Sequence, residues 1–326
     1  MKEKVLAVLK QNGGYVSGQE LSAGLGVSRT AVWKAVNSLK EAGYGIESVR
    51  NKGYRLISSP DVLLSDEIKS QLSTKWLGNK ILYFDTIDST NNEIKRQAEK
   101  GAPCGTLAIA EFQSAGRGRR GRNWQSPSGS GIWMSFLIKP DISPDKAPMV
   151  TLVAAMACAF AIREELGLDA MIKWPNDIVI GGKKTIGILT EMSAEMDTVN
   201  YIVIGIGINV NMTEFPEELR RTATSLALEC GHQVARSRLV AACGKYFEKY
   251  YEIFLRDKSL KNLKKTYESA LVNKGADVSV ITADGTFNRK ALGINDMGEL
   301  MVEDETGRVE TVRAGEVSVR GIYGYV

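Results

Sequence analysis

From about residue 65 the chain sets down apolar runs in succession: ILYF (81–84), TLAIA (106–110), GIWMSFLI (131–138), MIKW (171–174), TIGILTEM (185–192) and YIVIGIGINV (201–210). Each reads as a strand. Helical stretches are predicted around 90–100, 147–167, 236–256 and 259–271. Most consecutive strands in the second half have no helix between them. That favours a mixed sheet over a doubly wound parallel one. The longest apolar run, Ala147 to Ile162, is opened by Pro148 and interrupted by Thr151. It falls short of the roughly 20 residues of a bilayer span, so a buried core helix and no membrane contact are expected.

Both ends of the chain depart from this pattern. Val5, Leu6, Val8 and Leu9 form a helical stripe. Ser17 to Glu20, SGQE, has the spacing of a capping box, so a second helix starts there and Gly26 ends it. Ser28 caps a third helix whose Val32, Val36 and Leu39 face inward, while Arg29, Thr30, Trp33, Lys34 and Asn37 face outward. Two helices joined by a tight turn with a glycine form a helix-turn-helix. IESVRNKGYRLI then gives two short strands around Asn51, Lys52 and Gly53, the pattern of a wing, with Arg50, Lys52 and Arg55 available for phosphates. The bland alternative is a small helical domain with a solvated basic face. An exposed tryptophan between Arg29 and Asn37 argues for a partner instead. DNA contacts are expected from Ser28 and the outward residues of the third helix in the major groove, with Arg50 and Lys52 on the backbone. SSPD (58–61) reads as a linker. After Lys274 short strands alternate with Gly and Asp turns, the pattern of a small all-β barrel. The expected domains are therefore 1–60, 65–274 and 275–326.

Composition restricts the chemistry. The 326 residues carry a net charge of only +4, so any basic patch is local. The chain has one histidine, His232, which excludes a multi-histidine metal site and weakens triad chemistry. Its four cysteines include no CxxC pair, so neither a zinc site nor a disulfide framework is suggested. The N-terminus, MKEKVLAVLKQNG, has no small-residue cleavage site, and a reducing cytoplasm is the expected compartment. An enzyme built this way works by positioning and charge.

Four segments remain as carriers of that chemistry. DSTNN (88–92) lies between a strand and a helix, where a helix N-cap and an anion- or amide-binding helix end are both open, the cap slightly favoured. KWPND (173–177) ends a strand, and a plain turn needs no tryptophan beside lysine. Lys184, at the base of the strand KTIGIL, either snorkels to solvent or meets a buried carboxylate or phosphate. GIGINV (205–210) lacks the third Rossmann glycine, because position 210 is Val210, and GGKKT (181–185) is not a complete P-loop. The fourth, GRGRRGRNW (116–124), puts four arginines on a glycine-rich backbone between strands of the core. Arginine's fork matches carboxylate and phosphate, so a site loop is favoured over a nucleic-acid tail.

Taken together, DSTNN, GRGRRGRNW, KWPND, KTIGIL and GIGIN resemble the bifunctional biotin–protein ligase and biotin repressor family, over the whole chain. The resemblance implies a winged helix, a central mixed-sheet catalytic domain of the biotin/lipoate ligase type and a C-terminal SH3-like barrel. It implies that biotin and MgATP give biotinyl-5′-AMP, and that a lysine of the biotin carboxyl carrier protein then takes the biotinyl group. Ser89, Thr90, Asn91 and Gln113 would line the biotin pocket. Arg117, Gly118 and Arg119 would hold its carboxyl group and the acyl-phosphate, with Lys184 beside them; Arg117, Arg119 and Lys184 are the catalytic candidates. Trp124 would cover the adenine. Lys173, Asn176, Asp177 and Asn209 would surround the nucleotide end, and Gly205 and Gly207 would let ligand approach the backbone. Arg120 and Arg122 either help pyrophosphate leave or face solvent. The resemblance also implies operator binding as a ligand-promoted homodimer with biotinyl-AMP as corepressor. The rivals are an effector-binding repressor without catalysis and a lipoate ligase, a group that lacks GRGRRGR in this form.

Overall fold

The capping box at Ser17 forms as its spacing requires: Ser17 Oγ accepts from Glu20 N at 3.1 Å, and Glu20 Oε2 accepts from Ser17 N at 2.8 Å. This computed structural model describes residues 1–282, 285–313, 318–321 and 325–326. The chain divides into two compact units, residues 1–73 with 235–241, and residues 74–234 with 242–326.

In the first unit, helices α1 (Lys2–Asn12), α2 (Gly18–Leu25) and α3 (Arg29–Glu41) precede an antiparallel hairpin of β1 (Gly45–Val49) and β2 (Gly53–Ser58), and α4 (Ser65–Lys69) follows. Gly26 ends α2 in the left-handed conformation at φ 65°, and Ser28 Oγ accepts from Ala31 N at 3.2 Å to start α3. Val32, Val36 and Leu39 are buried against Val5, Leu6, Leu9 and Leu21. Gly53 is required at the wing: it has φ 104°, and a Cβ there would lie 2.1 Å from Val16 O. The helix-turn-helix and its hairpin thus form as expected. The expected linker is anchored at its end. Asp61 accepts from Arg236 N at 3.0 Å and Arg236 Nε at 2.8 Å, and that arginine is only 2% exposed. A buried guanidinium keeps its partner because losing it would strand a charge.

The second unit is built on a seven-stranded sheet. Its elements in chain order are β3 (Ile81–Ile87), α5 (Thr90–Glu99), β4 (Leu107–Gln113), β5 (Gly131–Ile138), α6 (Ala147–Leu166), β6 (Met171–Lys173), β7 (Asp177–Ile180), β8 (Lys183–Glu195) and β9 (Thr198–Asn209). The strand order is β3-β4-β5-β9-β8-β7-β6. Only β3 and β4 pair in parallel, across α5; the remaining pairs are antiparallel, so the sheet is mixed. Helix α6 is long and apolar enough to cross a membrane, but it is largely buried in the core.

Helices α7 (Leu226–Cys230), α8 (Arg236–Asp257) and α9 (Lys264–Glu268) follow. The helix expected over 259–271 contracts to α9. Leu260 N donates to Asp296 O and Ala270 O accepts from Ile172 N, so other segments take the backbone groups a longer helix would use. The last strands are β10 (Asp277–Ile281), β11 (Thr286–Ile294), β12 (Leu300–Glu303), β13 (Val309–Val312) and β14 (Ser318–Gly321). Their order is β13-β12-β11-β10-β14. The barrel expected here is not closed among the described residues: β13 and β14 are the two edges of an open sheet.

Candidate functional site

Strand β3 ends at Ile87, and the chain turns into α5 through Asp88 and Ser89. Asp88 accepts from Arg96 Nη2 at 2.8 Å and from Asn92 Nδ2 at 2.9 Å. Those bonds, the Arg96 one foremost, hold its carboxyl well below the usual carboxylate range. Ser89 stands at the N-cap of α5, but its side chain makes no capping hydrogen bond. The cap reading is therefore right about position and wrong about the hydroxyl. Thr90 N donates to Gln113 Oε1 at 2.9 Å, and Gln113 Nε2 donates to Ser126 Oγ at 3.0 Å. Gln113 thus joins DSTNN to the segment that follows the arginine loop.

That loop is a closed turn. Gly118 N donates to Arg122 O at 2.7 Å, and Trp124 N donates to Gly116 O at 3.0 Å. Gly116 permits this approach, since a Cβ would lie 2.4 Å from Trp124 O. Arg120 takes the left-handed region at φ 55° and, like Arg122, is exposed. Arg119 points the other way. Its Nη1 donates to Asn176 Oδ1 at 2.7 Å, and burial pulls the guanidinium below its ordinary value while Asp177 opposes that.

KWPND supplies the facing wall. Trp174 is buried, donating Nε1 to Gly298 O at 3.0 Å, and its bond to Pro175 is cis. With Trp174 as anchor, Asn176 Nδ2 reaches Ile188 O and Asp177 Oδ1, both at 3.1 Å. Asp177 Oδ1 also lies 2.6 Å from Lys184 Nζ, so the strand-base lysine meets a carboxylate rather than solvent. Asp177 Oδ2 accepts from the Tyr325 hydroxyl.

The floor is a pair of glycines. Gly187 of β8 pairs directly with Gly207 of β9. A Cβ on either would come within 2.7 Å of the Trp124 ring, and one on Gly205 within 2.1 Å of Asn91 Oδ1. The indole of Trp124 lies over the pair and meets Trp133 edge-on at 6.4 Å. Its Nε1 is buried with no hydrogen-bond partner among the described residues. Strand glycines of this kind mark a place where something approaches the backbone closely.

Loop, wall and floor enclose a cleft of about 470 Å³, its open mouth included. Ser89, Thr90, Asn91, Gln113, Arg117, Gly118 and Arg119 line it, as do Trp124, Asn176, Lys184, Gly205 and Gly207. Three expected residues do not. Lys173 is buried with Nζ 3.4 Å from the Tyr325 ring centroid. Asp177 backs Lys184, and Asn209 Nδ2 is spent on Thr224 O at 3.1 Å. Met134, Gly187, Ile188, Leu189 and Ile206 line the cleft unforeseen. A glycine inside the apolar strand KTIGIL was the one available signal, for Gly187.

The other expected site lies in the first unit. Arg29, Thr30, Trp33 and Lys34 are exposed on α3, with Trp33 at 54%, and Asn37 is half-buried. Ser28 is the cap of α3 and is exposed as well. Arg50 and Lys52 are exposed in the wing turn. Arg55 is partly engaged already: it forms an ion pair with Glu47 at 2.9 Å and lies over the Tyr15 ring at 4.8 Å. Its guanidinium braces the wing.

Two family models match the chain. The model of the biotin/lipoate A/B protein ligase family matches residues 83–209, and a helix-turn-helix domain model matches residues 2–55. The chain is similar to the bifunctional ligase/repressor BirA of Bacillus subtilis (strain 168), 43% identical over 94% of this chain and 95% of that protein. It is similar to the bifunctional ligase/repressor BirA of Escherichia coli (strain K12), 31% identical over 97% and 96%. Among solved structures, the biotin protein ligase from Aquifex aeolicus in complex with biotin and ATP superimposes with a TM-score of 0.65 at 30% identity. It covers 74% of this chain and 99% of its own.

Proposed function

The chain belongs to the family of bifunctional biotin ligase–repressors, and from that premise we propose that it activates biotin with ATP, passes it to an acceptor lysine, and represses transcription. The observation that carries this reading is the single cleft. It gathers two kinds of lining, hydroxyls and amides on the one hand and arginines with a lysine on the other, together with strand positions that carry no side chain.

The chemistry follows from that division. A neutral ureido ring suits Ser89, Thr90, Asn91 and Gln113. Biotin's carboxylate and the nucleotide's triphosphate repel each other, and Arg117, Arg119 and Lys184 bring them together. The carboxylate oxygen attacks the α-phosphorus, and pyrophosphate leaves with the electron pair of the broken P–O bond. In the second step the acceptor amine attacks the acyl carbon of the mixed anhydride and AMP leaves. Trp124 covers the adenine. Mg²⁺ would come with the nucleotide; the side-chain oxygens of the type it accepts, Asn176 Oδ1 and the Asp177 carboxylate, are engaged by Arg119, Lys184 and Tyr325, so no side chain is assigned to hold it. Bound, it neutralises phosphate charge.

Repression uses the first unit. The N-terminal region, 1–60, binds operator DNA through α3 and the wing. Biotinyl-5′-AMP held in the catalytic region, 65–274, is the corepressor and promotes a homodimer. We read the open sheet of 275–326 as part of an SH3-like barrel, and the cytoplasm as the compartment. The test mixes the protein with biotin, MgATP and a biotin-acceptor domain and reads the acceptor's mass. Addition of one biotinyl group is expected; an unmodified acceptor under all conditions sinks the ligase and leaves a repressor that only senses an effector.

A further inference from the structure

We propose that Glu191 is a positioning residue: it fixes the direction of a hydrogen-bond relay through Asn91, Ser135 and Thr90, and so sets the polarity that the cleft shows to the uncharged end of its substrate. This rests on the biotin-ligase reading. Glu191 lies on β8 and does not line the cleft. Its Oε2 accepts from Asn91 Nδ2 at 2.7 Å, and its Oε1 accepts from Lys95 Nζ at 2.5 Å. Asn91 and Lys95 are four residues apart on α5 and share a face. Burial raises the Glu191 carboxyl, but the bonds from Lys95 and Asn91 and the fields of Lys95 and Arg117 outweigh it, so the group stays ionised.

An asparagine amide has a donor end and an acceptor end, and turning it over exchanges them. An ionised carboxylate only accepts. Glu191 therefore demands Nδ2 of Asn91, with a longer 3.4 Å bond from that nitrogen to Leu189 O as its only helper among the described residues, which leaves Oδ1 to accept from Ser135 Oγ at 2.5 Å. A hydroxyl has one proton. With that of Ser135 committed to Asn91, Thr90 must give its one proton across the 2.7 Å contact between the two hydroxyls, in preference to the longer 3.1 Å contact with Gln113 Oε1. The relay runs Thr90 to Ser135 to Asn91 to Glu191. Thr90 then offers lone pairs to the cleft, which suits an N–H donor on the ligand. Gly205 leaves room for this, since a Cβ would meet Asn91 Oδ1 at 2.1 Å. Helix α5 keeps its own anchor in the buried Ile94, so Glu191 is not needed to hold it.

Glu191→Gln tests the direction without changing shape. Lys95 only donates, so it claims the new amide's oxygen and turns its NH₂ toward Asn91, reversing the relay. Biotin binding, measured by calorimetry on the full chain, should weaken about tenfold, with the unfolding midpoint little changed. Adding Lys95→Met frees the glutamine to turn over, and the double variant should recover most of the affinity. A purely structural role predicts no such recovery. Glu191→Gln binding biotin like the wild type, or a double variant no better than the single, overturns the inference alone. A wild-type protein that binds no biotin overturns the ligase reading and this inference with it.

Discussion

Two cationic regions of this chain are built in opposite ways. On α3 and the wing, Arg29, Lys34 and Arg50 point to solvent and form no ion pair among the described residues. At the cleft, Lys184 rests on Asp177 at 2.6 Å and Arg119 on Asn176 at 2.7 Å. Loosely held surface charge suits a polyanion, where affinity comes from displaced counterions and many equivalent contacts. Charge held in place by amides and carboxylates suits one reacting group, because nothing must reorganise as the transition state forms. The two regions therefore differ in what a mutation should do.

The largest effect is expected at Lys184. Lys184→Ala should lower the rate of adenylate formation by roughly 10²–10³, the loss typical of one preorganised donor. Single-turnover measurement checks it, and a fall of only a few-fold would make the lysine an ordinary brace for Asp177. Gly207→Ala comes next. Its Cβ would lie 2.6 Å from the Trp124 ring, so the indole must move. Overpacking of this kind costs about 1–3 kcal/mol, read as weaker nucleotide retention and a shifted Trp124 fluorescence. Unchanged fluorescence would mean the ring does not sit on the glycine floor.

Arg119→Gly removes one charge-assisted contact of about 1.5–3 kcal/mol, and release of biotinyl-AMP should quicken accordingly. Arg50→Ala should behave differently. It should reduce the slope of log K against log salt for operator binding by about 0.9, with ligation unaffected. A slope that stays fixed would take Arg50 out of the phosphate contacts. The smallest expected effect is on stability and pH. The Glu191 carboxyl is held below its ordinary value of 4.5, so its pairing stabilises the fold fully above that pH and fades as pH falls through the lowered value. The small melting difference between wild type and Glu191→Gln should vanish once the pH is below that value; a difference that persists there would contradict it.

Local order was legible wherever the signal is local. The capping box at Ser17, the strand Gly131–Ile138 and the core helix from Ala147 all follow from spacing and periodicity. Clustering of DSTNN, GRG and Lys184 in one cleft was legible through motifs, not through periodicity. Contacts between distant positions were not legible. Tyr325 reaches Asp177 and Arg236 grips Asp61 across well over a hundred residues, with no pattern to announce either. Glu191 was silent for a similar reason: a glutamate near a strand's end reads as solvated until Asn91 and Lys95 are seen against it. The C-terminal strands were legible but their closure was not, because strand signals do not say which edges meet.

The most direct test of the contrast is one rate, that of biotinyl-AMP formation in a single turnover, for two double variants. Arg117→Ala with Arg119→Ala should lose most of it, while Arg50→Ala with Lys52→Ala should keep the wild-type value. Equal losses in the two, or an intact rate in the first, would contradict the division of charge between a reacting site and a DNA surface.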